Sequence, residues 1–336
     1  MSTEVCWIRQ GAISNIQASV KSCDELSPAP DTPKDNVASR DAAGVVRVTA
    51  TGLSKADNTS REHSKLYWWD EVPAVLQFNP YIKSGYRAGL TRQDCVGSLF
   101  HCHNETGNIW VHLSLLLGCM STVAFGMIAP WPLAGTALLS LLLPVMLCLV
   151  GSVTYHTLMA NHWNYKTYIT IDVCGVFALF LSGAHNFIWW GLYCYPCLRV
   201  TAVTAYFITA GACVLLGLTA KSNAKRATPM LVLLLLRFFV VLARLILNSG
   251  SWWASVHFLW MEVLTCTGAV VNVMRIPEKW YHDKDPRIAG RFDYWLNSHQ
   301  IMHILVAGAM IHYSLGAACD YLHFMKQTQC PAWELM

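Results

Sequence analysis

His299 and His303 lie one helical turn apart inside the last long apolar stretch of the chain, NSHQIMHILVAGAMIHY. Side chains at i and i+4 leave a helix from one face, and burying two imidazoles in membrane sequence is costly unless something binds them. A metal ion is the most economical partner; hydrogen bonding to neighbouring helices is the plainer alternative. The choice turns on whether further polar residues reach the same depth, which is a question of topology.

The 336 residues are 54% hydrophobic and 13% charged, where a soluble domain carries roughly 25% charged residues. That composition belongs to a multi-span membrane protein. Apolar runs of the length needed to cross a bilayer, about 20 residues, fall near 108–128, 133–157, 169–191, 198–220, 228–248, 253–275 and 296–320. The expected fold is all-α and integral to the membrane, with seven transmembrane helices over residues 108–320.

The net charge of +4 comes with no basic run dense enough for nucleic acid, so its distribution is what matters. With seven spans, the loops at 159–167, 221–227 and 275–294 lie on the side of the amino terminus. They hold nine basic residues: Lys166, Lys221, Lys225, Arg226, Arg275, Lys279, Lys284, Arg287 and Arg291. The other side offers Arg199 and, in the tail, Lys326. The positive-inside rule then places the amino terminus in the cytosol and the carboxyl terminus outside or in a lumen, opposite to a rhodopsin-like receptor. The acceptor-like triplets at Asn58 and Asn104 fall on the cytosolic side and are expected to stay unglycosylated.

Residues 1–66 are polar, contain SPAPDTPKD and lack an apolar period, so they are read as a disordered cytosolic region. No cleavable signal peptide is expected there; the first span serves for targeting. Residues 67–107 form a juxtamembrane segment in which Tyr67, Trp68 and Trp69 are either interface anchors or ordinary packing groups. Residues 321–336 make a short lumenal or extracellular tail. Most of the thirteen cysteines sit singly in spans and behave as small apolar residues. Cys194 and Cys197, in a lumenal loop, can bridge to each other, to Cys319 or to Cys330, or remain free thiols.

Ordering the polar residues by depth brings four ionisable groups from three helices to one level. His156 ends the second span with Ser152 one turn deeper on the same face, Asp172 lies in the first turn of the third, and His299 and His303 open the seventh. Three imidazoles and an open fourth position are the donor set of a catalytic zinc. Such an ion activates water near neutral pH, with Asp172 beside that water as base or orienter and Ser152 holding the water or a substrate carbonyl. His312, nine residues beyond His303, is about half a turn around the helix and roughly 13 Å along it, and is read as a packing or interface histidine. His101, His103 and His112 cluster before and within the first span, with Glu105 as their only nearby carboxylate; capping and interhelical hydrogen bonds account for them more simply than ligation. Deeper, Arg237 and Glu262 match in depth and are expected to pair, while Arg244 is expected to snorkel.

The segments SGYRAG and SLFHCHNETGNIWVH, then GSVTYH with the following Asp172, then FDYWLNSHQIMH, resemble the signature blocks of the progestin and adipoQ receptor family, in that family's order across residues 84–313. IDVCGV, RIPEKW and GRFDYWLNSHQIMH are most similar to the branch of its fourth member. The resemblance implies a seven-helix fold with a cytosolic amino terminus and an intramembrane zinc near the cytosolic face. It carries the metal ligands onto His156, His299 and His303, with Asp172 and Ser152 beside the water. It also implies kinship with alkaline ceramidases. Asp172 is followed by Val-Cys where the adiponectin-receptor branch has a tyrosine, so the ligand specificity of those receptors is not carried over.

Two functions are therefore expected. The first is a zinc-dependent amide hydrolase acting on ceramide or a related sphingolipid within the bilayer. The second is a lipid- or steroid-sensing receptor, or a scaffold for sphingolipid enzymes, in which zinc ties helices together. Membrane lipid is the expected substrate or ligand, other membrane proteins are possible partners, and the Golgi or plasma membrane is the location implied at family level. Transport is disfavoured by the lack of paired broken helices or internal repeats.

Overall fold

The computed structural model describes residues 65–128, 135–220 and 223–326. Among them, seven helices are long and apolar enough to cross a membrane. After a short helix α1 (Arg92–Gly97) come α2 (Thr106–Ile128), α3 (Gly135–Leu158), α4 (Tyr165–Gly191), α5 (Pro196–Thr219), α6 (Asn223–Leu247) and α7 (Trp252–Met274). A one-turn helix α8 (Glu278–Tyr281) precedes the last and longest, α9 (Ser298–Lys326). Each expected span is present within a few residues of its apolar run. Leu215, Ile246 and Val273 are among many large apolar side chains left uncovered on the outer faces, an arrangement suited to lipid contact. The expected disorder before residue 66 falls, apart from its last two residues, outside the described part, as do Asn58 and the end of the tail.

Local chemistry sets the helix ends that matter for the polar site. Thr106 Oγ1 accepts the His103 amide at 2.9 Å and His103 Nδ1 accepts the Glu105 amide at 3.1 Å, so a side-chain-bonded turn launches α2. Helix α7 stops where Arg275 turns left-handed at φ 54°, returning its N–H to the Asn272 carbonyl. Asn297 caps α9 by accepting the Gln300 amide at 3.1 Å.

Helix α9 runs along α7 and also touches α2, α3 and α4. Helices α3 and α4 approach through reciprocal glycines. A Cβ at Gly151 would lie 2.9 Å from the Ile171 carbonyl oxygen, and one at Gly175 would lie 3.0 Å from Cys148 Cα. Small residues at such crossings let backbones meet.

The segment before α2 is folded against the α8–α9 connection. Tyr67 and Tyr86 form an antiparallel bridge, and Tyr67 and Trp69 pack on a small core containing Val72, Leu76 and Ile82, which favours the packing reading of these aromatics. The Asp293 carboxylate accepts the Lys83 amide at 2.9 Å and the Ser84 amide at 3.0 Å. Glu278 accepts the Asn79 side-chain amide at 3.0 Å and the Ser298 amide at 2.7 Å, tying this segment to the start of α9. Asn104 is itself buried.

The expected pair Arg237–Glu262 forms at 2.9 Å. Arg244 does not snorkel. It is fully buried, donates to the two Asp320 oxygens at 2.7 and 2.8 Å and to the Phe187 carbonyl at 2.6 Å. The partner comes from α9, beyond the reach of a rule that considers one helix against the lipid. Cys194 is disulfide-bonded. Of the partners considered for it, Cys197 and Cys319 are free thiols, and Cys330 lies outside the described residues.

Candidate metal centre

His156 from α3 and His299 and His303 from α9 come together, each offering one nitrogen, with all three nitrogens within 4.8 Å of one another. The Nε2 atoms of His299 and His303 are 3.2 Å apart. Zinc–nitrogen bonds of about 2.0–2.1 Å place two nitrogens of a tetrahedral ion about 3.3 Å apart, so this pair has the spacing of two ligands of one ion.

The tautomers point the same way. His156 Nδ1 donates to Glu105 Oε2 at 2.8 Å, and His299 Nδ1 donates to Asn272 Oδ1 at 3.2 Å, leaving both Nε2 atoms as bare acceptors. Only one further ring proton, on His303, is available to answer two lone pairs. A cation satisfies all three nitrogens, and second partners on the far ring nitrogen are the usual companions of metal-binding histidines. The donor set therefore fits a zinc ion.

Glu105 sits just before α2 and is held by the Asn108 amide at 2.6 Å. Burial alone would raise its carboxyl, but the hydrogen bonds from His156 and from the Asn108 amide hold it below the usual carboxylate range. Helix α9 is seated beside this segment by Gln300, whose amide donates to the Asn104 carbonyl at 3.2 Å and the Tyr294 carbonyl at 2.8 Å. A Cβ at Gly107 would lie 2.6 Å from Gln300 Cδ, so a larger residue there would push the Gln300 amide from this position.

The other expected residues are placed as follows. Asp172 is half-buried on α4, within electrostatic reach of His156, and it hydrogen-bonds none of the three imidazoles. Its Cα lies 3.3 Å from the position of a Cβ on Gly151, the neighbour of Ser152. Ser152 Oγ is already engaged, 2.9 Å from His112 Nδ1, and the His112 ring stacks at a tilt on His303 with centroids 4.1 Å apart. His112 thus makes the expected interhelical hydrogen bond, and His103 the expected cap. His312 packs on α7, its Nδ1 2.9 Å from His257 Nδ1.

The sequence places Glu105 beside the histidines of the first span and does not pair it with His156, and it leaves Asn272 unmarked. Glu105 lies one residue outside the helix and so was missed by counting depth within spans. Its signal was its place between His103 and Asn108; Asn272, a neutral amide, carried none.

A family model described as haemolysin-III related matches residues 100–313. Progestin and adipoQ receptor family member 4 of Homo sapiens is 36% identical over 278 residues, 80% of this chain and 97% of that protein. Its counterpart in Mus musculus is 35% identical over 278 residues, again 80% and 97% of the two chains. The adiponectin receptor protein of Drosophila melanogaster is 27% identical over 271 residues, 74% of this chain and 58% of its own. With seven membrane-length helices and a match over most of them, this chain belongs to the haemolysin-III-related family that includes the progestin and adipoQ receptors.

Proposed function

We propose that the protein is a zinc-dependent amide hydrolase of the membrane interior, acting on ceramide or a related sphingolipid and so controlling ceramide levels. The observation that carries this is the convergence of three imidazole nitrogens with two of the far ring nitrogens already bonded to Glu105 and Asn272. A zinc ion supplies a Lewis acid that polarises a carbonyl and lowers the pKa of water to about 7. His156, His299 and His303 hold it, and Glu105 and Asn272 keep the rings in the binding tautomer. Asp172 takes the proton from the attacking water and passes it to the departing amine, so that amide and water become free sphingoid base and fatty acid. Ser152 orients the carbonyl once its hydroxyl turns from His112.

The same reading puts the site near the cytosolic face, the amino terminus in the cytosol and the protein in the Golgi or plasma membrane. The disulfide at Cys194, in the loop between α4 and α5 at the far end of the bundle, suits an oxidising compartment there. Release of sphingosine from a defined ceramide by purified, lipid-reconstituted protein tests the proposal. Wild type turns over while Asp172→Asn retains zinc and does not.

A second reading is a lipid- or steroid-sensing receptor, or a scaffold of sphingolipid enzymes, with zinc as a structural tie. It is favoured by the receptor names of the relatives and by the Ser152 hydroxyl being already bonded. Zinc in both proteins with turnover in neither selects it.

A further inference from the structure

Arg87 is a buried guanidinium at the end of α3, and among the described residues no carboxylate pairs with it directly. A buried cation is costly unless fixed groups answer it. Here the groups are backbone carbonyls at the end of α3. Nη2 donates to the His156 carbonyl at 2.8 Å, and Nη1 donates to the Thr157 carbonyl at 3.3 Å and to the Ser98 hydroxyl. Ser98 in turn donates to the Cys95 carbonyl at 2.6 Å, fixing the clamp to α1. The carbonyls of a last helical turn have no partner inside the helix, and the dipole favours a cation there.

Arg87 also lies near the carboxylate that holds the ring of the same histidine. Arg87 and Glu105 line one cavity the size of a single water, with Tyr86 and Asn104. Arg87 Nε is buried without a protein partner, while Glu105 is the acceptor for the His156 ring. A cavity of that size and lining could admit one water able to accept from Nε and donate to the carboxylate.

We propose that Arg87 is a positioning residue for His156, fixing its backbone directly and its ring through a water bridge to Glu105. This rests on the metal-binding part of the function proposed above. An ordinary helix cap would affect stability alone; a positioning residue affects the ligand field and metal affinity beyond its effect on stability.

The test compares Arg87→Met and Arg87→Lys in the full-length purified protein. Zinc affinity is measured by chelator competition, and the visible spectrum is recorded after cobalt(II) replacement. Arg87→Met is expected to weaken zinc about tenfold or more and to shift the cobalt bands. Arg87→Lys, a point charge unable to span all three acceptors, falls between Met and wild type. Glu262→Gln is the control for stability, since it leaves Arg237 unanswered far from the site and lowers the melting temperature while keeping zinc affinity and the cobalt spectrum. Wild-type affinity and spectrum in both Arg87 variants overturn the proposal, as does a parallel loss in Glu262→Gln. If the Met variant fails to fold, the Lys variant decides. His156→Ala separates the two levels: its retention of wild-type affinity removes the metal reading itself, whereas its loss beside intact Arg87 variants removes only the positioning role.

Discussion

At one end of α9, Asp320 takes both terminal nitrogens of Arg244 and, at 3.0 Å, the Ser251 amide, so both of its carboxylate oxygens are met. At the other end, His299 and His303 turn their Nε2 atoms toward each other and toward His156, with lone pairs in excess of protons. Both clusters are buried and both join α9 to other helices. In the first, charge meets opposite charge, although Arg244 Nε has no partner of its own; in the second, like meets like, and a metal ion could join the three nitrogens. Buried charge in a membrane protein is therefore not by itself a sign of a site. The useful sign is a set of like polar atoms converging where acceptors outnumber donors.

The largest expected effect that divides the two clusters is on metal content. His303→Ala should leave the protein without stoichiometric zinc, measured as moles of metal per mole of purified protein. Full zinc in that variant would put the imidazole cluster in the same class as the ion pair. Next comes stability. Asp320→Ala strands Arg244 in the interior and should cost about 3–5 kcal/mol in reversible unfolding from detergent micelles, with zinc content unchanged; zinc lost along with stability would show that the two ends are one cooperative unit. The smallest effect is the most discriminating. Asn272→Ala releases only the far nitrogen of His299, and should weaken zinc by about tenfold in a chelator titration without lowering the melting temperature.

The spans were legible because each is an apolar run of bilayer length, and the imidazole cluster because depth along a helix follows directly from residue count. The same arithmetic anticipated Arg237 with Glu262, whose separation in space is set by their matching depth. It failed for Arg244 because a single helix against lipid offers only the choice between pairing nearby and reaching for water, whereas Asp320 arrives from a helix 76 residues away. The partnership of Glu105 with His156 and of Asn272 with His299 escaped it for a different reason. Their role is to hold another side chain, and that role exists only once α2, α3, α7 and α9 have been packed.

Helix α9 carries both clusters on one uninterrupted rod without proline. From His303 to Asp320 is about 26 Å at 1.5 Å per residue, close to the thickness of the hydrocarbon layer. An unbroken α-helix fixes that spacing through its own backbone hydrogen bonds, so the two clusters sit like two marks on one ruler, their separation set by residue count alone.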